Sequence, residues 1–228
     1  MNESESGPLT RAGEGSLERR SFLARGLLGA AALALPGALS GCVIAAAGRP
    51  KLDFHDDFGV LNYAYALETL ESKFYERVIA SPPSDLKAGE LQVLTDIGAH
   101  EIQHRRFFKR ALGILRVEIP QINLSSIDFT SRATVLAAAK SFEDTGVGAY
   151  NGVGRRVKLA EFLSIAGKIV SVEARHAAAI RDLIDPMTRS FAGNDVVDAR
   201  GFDLALSPGD VLERVQPFFK TPFRVAGI

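Results

Sequence analysis

Four helical runs joined by two short connections and one long one set the tightest limit on how this chain can fold. The first run starts at Asp56 or Asp57, either of which can act as N-cap, and continues to Ala80, where Ser81-Pro82-Pro83 ends it. The second extends from about Leu86 or Glu90 to Leu115, with Leu94, Ile97, Gly98, Phe108, Leu112 and Leu115 recurring at intervals of three and four. A third covers about Arg132 to Val153, and a fourth about Leu159 to Ile184, stopped by Asp185-Pro186. Residues 116–130 between the second and third runs carry Pro120, Asn123, Ser125, Ser126 and Asp128 and read as extended. Fifteen residues at ~3.3 Å each reach ~50 Å, whereas a 20-residue helix is ~30 Å long. This connection can therefore run the full length of a bundle, while the short 154–158 connection makes its two helices antiparallel neighbours. The pattern predicts an all-α protein, a four-helix bundle with one long crossover over residues 55–186.

The flanks read differently. Residues 1–18 are polar and without periodicity, and are followed by Arg19-Arg20-Ser21-Phe22-Leu23 and an apolar stretch from Gly26 to Leu35. This stretch is too short for a membrane span, which needs ~20 residues, and has the layout of an export signal. The arginine pair resembles a twin-arginine signal, departing from the usual pattern at Glu18 and Ala24. Leu39-Ser40-Gly41-Cys42 resembles a bacterial lipobox, which implies lipid attachment at Cys42 and removal of residues 1–41. The alternative is cleavage after Ala45-Ala46-Ala47, leaving a soluble periplasmic protein; the chain's single cysteine lying in the lipobox frame favours Cys42. Either way the expected location is the cell envelope or periplasm, and lipidation at Cys42 adds the membrane as partner. Residues 42–54 read as a linker, and residues 187–228 as a tail packing on the bundle. In the tail, Ser207 as N-cap and Pro208 at the first helical position predict a short helix to about Val215, with Phe218, Phe219 and Phe223 as apolar anchors.

Composition removes several function classes. With 46% hydrophobic and 24% charged residues the chain is not a disordered one. Its 27 basic and 27 acidic side chains cancel, so nucleic acid is not an expected partner. One cysteine excludes a disulfide framework and any cysteine-rich zinc or iron–sulfur site.

The chemistry lies in the middle of the helical runs. The second carries Glu101-Ile102-Gln103-His104 and the fourth Glu173-Ala174-Arg175-His176, and each Glu and His three apart share a helix face. The first and third runs offer Glu68 and Glu143. One Glu-x-x-His arises readily by chance; two on separate helices, with a lone Glu at the centre of each remaining helix, do not. Neighbours one turn away are largely apolar (Leu61, Ala64, Tyr65, Ile97, Phe108, Leu136, Ala139, Val147, Ile169, Ala177, Ile180), so the glutamates belong to buried faces. Four buried carboxylates without partners would cost several kcal/mol each or protonate. Two divalent cations cancel their charge, two neutral imidazoles complete the shells, and shared carboxylates would hold the metals ~3.5–4 Å apart. Glu71 competes with Glu68 as ligand or is a salt-bridged neighbour; Glu68 is preferred. Tyr75 and Tyr150, seven residues beyond Glu68 and Glu143, either hydrogen-bond a ligand carboxylate or are ordinary core tyrosines. Gly146 and Gly148 either open an access path or permit close helix packing. His55 and His100 read as surface or capping residues, and Arg105, Arg106 and Arg110 as the solvated outside of the second helix.

Together these segments resemble exported bacterial ferritin-like domain proteins, related to plant desiccation-associated ferritin-like proteins. The carrying residues are Leu67-Glu68-Thr69-Leu70-Glu71 with Phe74-Tyr75, His100 to His104, Glu143 to Tyr150, Val172 to His176, and Leu206 to Leu212. The resemblance spans roughly residues 55–220 and implies a ferritin-like bundle. It also implies Glu68, Glu101, His104, Glu143, Glu173 and His176 as metal ligands and seat of any catalysis. The implied cofactor is a pair of divalent ions, iron first, manganese second, with zinc admissible. The leading functional expectation is a di-iron or di-manganese redox protein, ferroxidase-like, acting on O2 or peroxide. The alternatives are a non-catalytic, metal-stapled protein protecting the envelope under drying or oxidative stress, and iron storage. The lipid anchor and tail weigh against a closed cage, leaving a monomer or homodimer.

Overall fold

The computed structural model describes residues 49–228; the proposed export signal and Cys42 lie outside the described residues. In chain order the elements are β1 (Lys51–Asp53), α1 (Asp57–Ala80), α2 (Glu90–Leu112), α3 (Arg132–Gly154), α4 (Ala160–Ile184), α5 (Pro208–Val215) and β2 (Arg224–Ala226). Helices α1 and α2 pack as one hairpin and α3 and α4 as another. Residues 116–131 carry the chain from the end of the first hairpin to the start of the second. No described helix is long and apolar enough to cross a membrane.

Side chains cap the free N–H groups of α1, α3 and α5, whereas α2 and α4 start without a capping side chain. Asp56 caps α1 by accepting from Gly59 N, and Ser131 caps α3 by accepting from Thr134 N. Helix α4 starts at a leucine that has no capping side chain. Its lead-in is held by Asp57 of α1, whose carboxylate accepts from Lys158 N and Leu159 N at 2.9 and 2.8 Å. Ser207 caps α5 and Pro208 opens it, as the sequence predicts. Helix α2 ends three residues short of expectation: Gly113, at φ 51°, breaks it, and a 3-10 turn over Gly113–Leu115 follows. Leu115 is consequently exposed rather than part of the core.

The segment read as linker is partly structured. β1 pairs in parallel with β2, Lys51 opposite Arg224 and Asp53 opposite Ala226, and buries Leu52 and Phe54. Phe54 N donates to Ala226 O and Arg224 N to Pro50 O, both at 2.9 Å. A three-residue strand whose partner lies at the far end of the chain has no local signature, which is why its sequence reads as linker. The tail also pairs with the crossover, Asn123 N donating to Phe218 O at 2.8 Å and Lys220 N to Gln121 O at 2.9 Å. Phe219 and Phe223 are buried, and Phe218 meets the Phe142 ring edge-on with centroids 4.8 Å apart.

Before α5, Leu206 lies across α3. Its N–H donates to Gly148 O at 2.9 Å, and its side chain and carbonyl occupy the space above Gly148 and Gly152. A Cβ on Gly152 would stand 1.7 Å from Leu206 O, so only glycine admits this crossing. Gly148 therefore serves close packing, not an access path.

Candidate metal centre

Glu68, Glu101, Glu143 and Glu173 stand within one residue of the midpoints of α1, α2, α3 and α4. In antiparallel helices of 23 to 25 residues, midpoints share one height, so four carboxylates meet inside the bundle. All four are fully buried, and His176 is 4% exposed. The faces that carry them are sealed by Leu61, Ala64, Ile97, Leu136, Ala139, Val147, Ala177 and Ile180, all buried.

The six side chains form two overlapping quartets, Glu68, Glu101, His104 and Glu173, and Glu101, Glu143, Glu173 and His176. His104 Nδ1 lies 2.9 Å from Glu173 Oε1, 3.3 Å from Glu68 Oε2 and 3.6 Å from Glu101 Oε2. His176 Nδ1 lies 2.9 Å from Glu101 Oε1, 3.4 Å from Glu143 Oε2 and 3.8 Å from Glu173 Oε2. Glu101 and Glu173 thus give one oxygen to each quartet. Despite these distances none of the contacts is aligned as a hydrogen bond. Glu68 Oε2, both oxygens of Glu101 and Glu173, Glu143 Oε2 and the Nδ1 atoms of His104 and His176 are all buried without a hydrogen-bond partner. Orphaned polar atoms in this number are rare in folded proteins. They point into two common spaces, and hard oxygen donors with imidazole nitrogen suit divalent iron, manganese or zinc. The residues fit a pair of metal ions.

The metal-free electrostatics show what a cation would replace. Burial disfavours a charged His104, yet the carboxylates of Glu101, Glu173 and Glu68 outweigh it and push its pKa up to about 12; His176 is pushed up to about 12 in the same way by Glu101, Glu143 and Glu173. Glu101 is held down at about 2, because the two imidazoles overcome its own burial. Glu143 is raised to about 8 by burial, against the pull of His176, and Glu68 is raised well above the usual range by burial and by Glu173. Without metal, protonated imidazoles supply part of the missing positive charge.

The surroundings follow a pseudo-two-fold pattern that relates the α1–α2 hairpin to the α3–α4 hairpin. Glu68 and Tyr75 on α1 correspond to Glu143 and Tyr150 on α3, and each tyrosine reaches across: Tyr75 OH donates to Glu143 Oε1 at 2.5 Å, and Tyr150 OH donates to Glu68 Oε1. Both tyrosines are therefore partners of the centre's carboxylates rather than ordinary core residues. The symmetry breaks twice. Glu71 on α1 faces Gly146 on α3, and His100 on α2 has Val172 as its counterpart on α4.

His100 is not merely a surface residue. Its Nδ1 lies 2.9 Å from His176 Nε2 and the rings stack with centroids 5.1 Å apart. With His176 Nδ1 turned to the carboxylates, a metal held there would leave the ring proton on Nε2, free to donate to His100 Nδ1. The position next to Glu101 conceals this in the sequence, since neighbouring helical residues point about 100° apart. Arg105 likewise departs from expectation: it bridges α2 to α1, donating to Ser72 Oγ at 2.9 Å and Glu76 Oε1 at 3.0 Å. Arg106 and Arg110 are exposed, and His55 is bound to Asp53 at the surface, as expected.

A four-helix bundle with one long crossover, closed around paired Glu-x-x-His segments and two further glutamates, has the architecture of the ferritin-like class. The chain belongs to the ferritin-like domain family, whose model matches residues 56–186. A search among curated proteins finds no match.

Proposed function

We propose that the protein is an exported di-metal carboxylate protein with ferroxidase-like or peroxide-consuming activity, iron being the first metal and manganese the second. The carrying observation is the pair of overlapping quartets, in which Glu101 and Glu173 each offer one oxygen to both positions. Glu68 and His104 would complete one position, and Glu143 and His176 the other. When bound, such a pair supplies electrons to O2 or peroxide.

The chain's own residues do the rest. The shared carboxylates hold the two positions together in a buried interior, where charge interactions are stronger than in water. Tyr75 and Tyr150 orient Glu143 and Glu68 and keep one oxygen of each occupied, so the other faces inward. His100 orients His176. His104, with 13% of its side chain exposed, is the more open ligand and marks the side from which small reactants approach. Tyr150 also lines a cavity with Val60, Leu61, Ala64, Phe108 and Ile165, an apolar environment suited to O2. The twin-arginine-like leader fits a protein exported folded and already carrying metal, and Cys42 would tether it to the membrane.

The test is elemental analysis of protein purified from its native envelope, followed by aerobic Fe(II) oxidation. Two metal ions per chain and oxidation faster than in Glu101→Ala or His176→Ala are the expected results. Oxidation rates equal to those of the two variants would remove the enzymatic reading.

A further inference from the structure

We infer that Glu71 is a seventh ligand of the metal pair, held near the pseudo-two-fold axis between the two positions, and that Gly146 is what makes room for it. This inference rests on the di-metal reading. Positions 71 and 146 are symmetry counterparts, three residues beyond Glu68 and Glu143. When two related positions touch, they do so at the axis that relates them, and these two do: a Cβ on Gly146 would lie 3.0 Å from Glu71 Oε1. The same point is 3.7 Å from Glu173 Oε2, an oxygen of one of the two shared carboxylates. Only one of the two positions can therefore carry a long side chain, and the chain has a glutamate at one and glycine at the other.

Glu71 is 4% exposed, and its carboxylate makes no hydrogen bond or ion pair with any described residue. Burial, and then the charges of Glu173, Glu101, Glu143 and Glu68, all of the same sign, push its pKa well above the usual carboxylate range. A structural carboxylate would have a cationic or hydrogen-bonding partner, as Glu76 has in Arg105 and Glu90 in Arg132. No cation stands beside Glu71, which lies next to the carboxylates of the two quartets. It belongs to neither quartet as the side chains stand, so it must rotate inward to ligate, and glycine at 146 leaves that movement unobstructed. Once in place, five carboxylates surround two ions. Two divalent cations leave that set one negative charge in excess, a balance that favours harder, more highly charged metal.

Anaerobic calorimetric titration of the metal-free full-length protein with Mn(II) tests this. Wild type is expected to take up two ions per chain. Glu71→Gln, of the same shape, is expected to bind at least about tenfold more weakly, and its metal-free form to melt no lower than wild type, because burial and the surrounding glutamates already hold Glu71 neutral there and glutamine keeps its size. Gly146→Ala, which sets a methyl group against Glu71 Oε1, is expected to weaken binding in the same direction and carries the test if Glu71→Gln loses its helical circular dichroism. Two ions bound by wild type and by both variants with equal affinity would overturn the role of Glu71 while leaving the pair intact. No binding by wild type would overturn the pair and this inference with it.

Discussion

Helices α1 and α4 bring candidate ligands to the same centre from very different supports. Helix α1 buries seventeen of its 24 residues, whereas α4 buries six of 25. The first is a spine, flanked by β1 and by α2, and its polar residues inside are fixed by whatever surrounds them. The second is a wall, exposed along its outer side and near its start, where Leu159 and Leu163 are about half exposed. Glu68 therefore sits on an enclosed helix, whereas His176, on the exposed one, is backed by a polar partner. His100 is that partner, and His104 on α2 has no counterpart to it.

Removing a shared ligand tests the centre as a whole. Glu101→Ala or Glu173→Ala should abolish binding at both positions, read as zero metal per chain, whereas Glu68→Ala or Glu143→Ala should spare one. Loss of both ions in all four variants would show that the positions are not separable.

Metal removal and pH come next. Glu143 binds its proton more tightly in the folded, metal-free protein (about 8) than in the unfolded chain, so it contributes stability at low pH that is lost as pH rises toward 8. His104 and His176, raised to about 12, contribute stability that is complete below their unfolded value of about 6.5 and lost as pH rises toward 12. Glu101, lowered to about 2, acts in the opposite sense and only below about 4.5. The melting temperature of the metal-free protein should thus fall between pH 6 and pH 9, and added metal should reverse the trend. Metal uptake near neutral pH should release protons from the imidazoles, measurable by titration in buffers of different ionisation enthalpy.

Smaller effects separate the hairpins. Tyr75→Phe and Tyr150→Phe each leave a buried carboxylate oxygen without its donor and should cost about 1.5–3 kcal/mol of stability. Equal losses in thermal denaturation would confirm the symmetric pairing, while a larger loss at Tyr75 would reflect the more enclosed α1. His100→Ala should weaken metal at the Glu143–His176 position by about tenfold. Val172→Ala, at the related site, should leave affinity unchanged; a matching loss there would reduce His100 to a packing residue.

The centre was legible in the sequence because its signal is local. Glu-x-x-His puts two side chains on one helix face, and mid-helix placement gives the height at which the other glutamates meet them. The limits of α1 and the end of α4 were legible for the same reason, from Asp56, Ser81-Pro82-Pro83 and Asp185-Pro186. What stayed hidden depends on residues far apart in the chain. Gly146 reads equally as a gap or a packing site until Glu71 is seen against it. Gly148 needs Leu206, which arrives from the tail. His100 acquires its role only from the distance between α2 and α4, and β1 only from a partner at the other end of the chain.

That last pairing has a mechanical consequence. A pull on residue 49 directed along β1 would slide it past its neighbour and load the cross-strand bonds together, instead of peeling them off in turn. A tug from the preceding segment is thus absorbed at this two-stranded clasp before it can unwind the first turn of α1 and disturb Glu68 farther along the same rod.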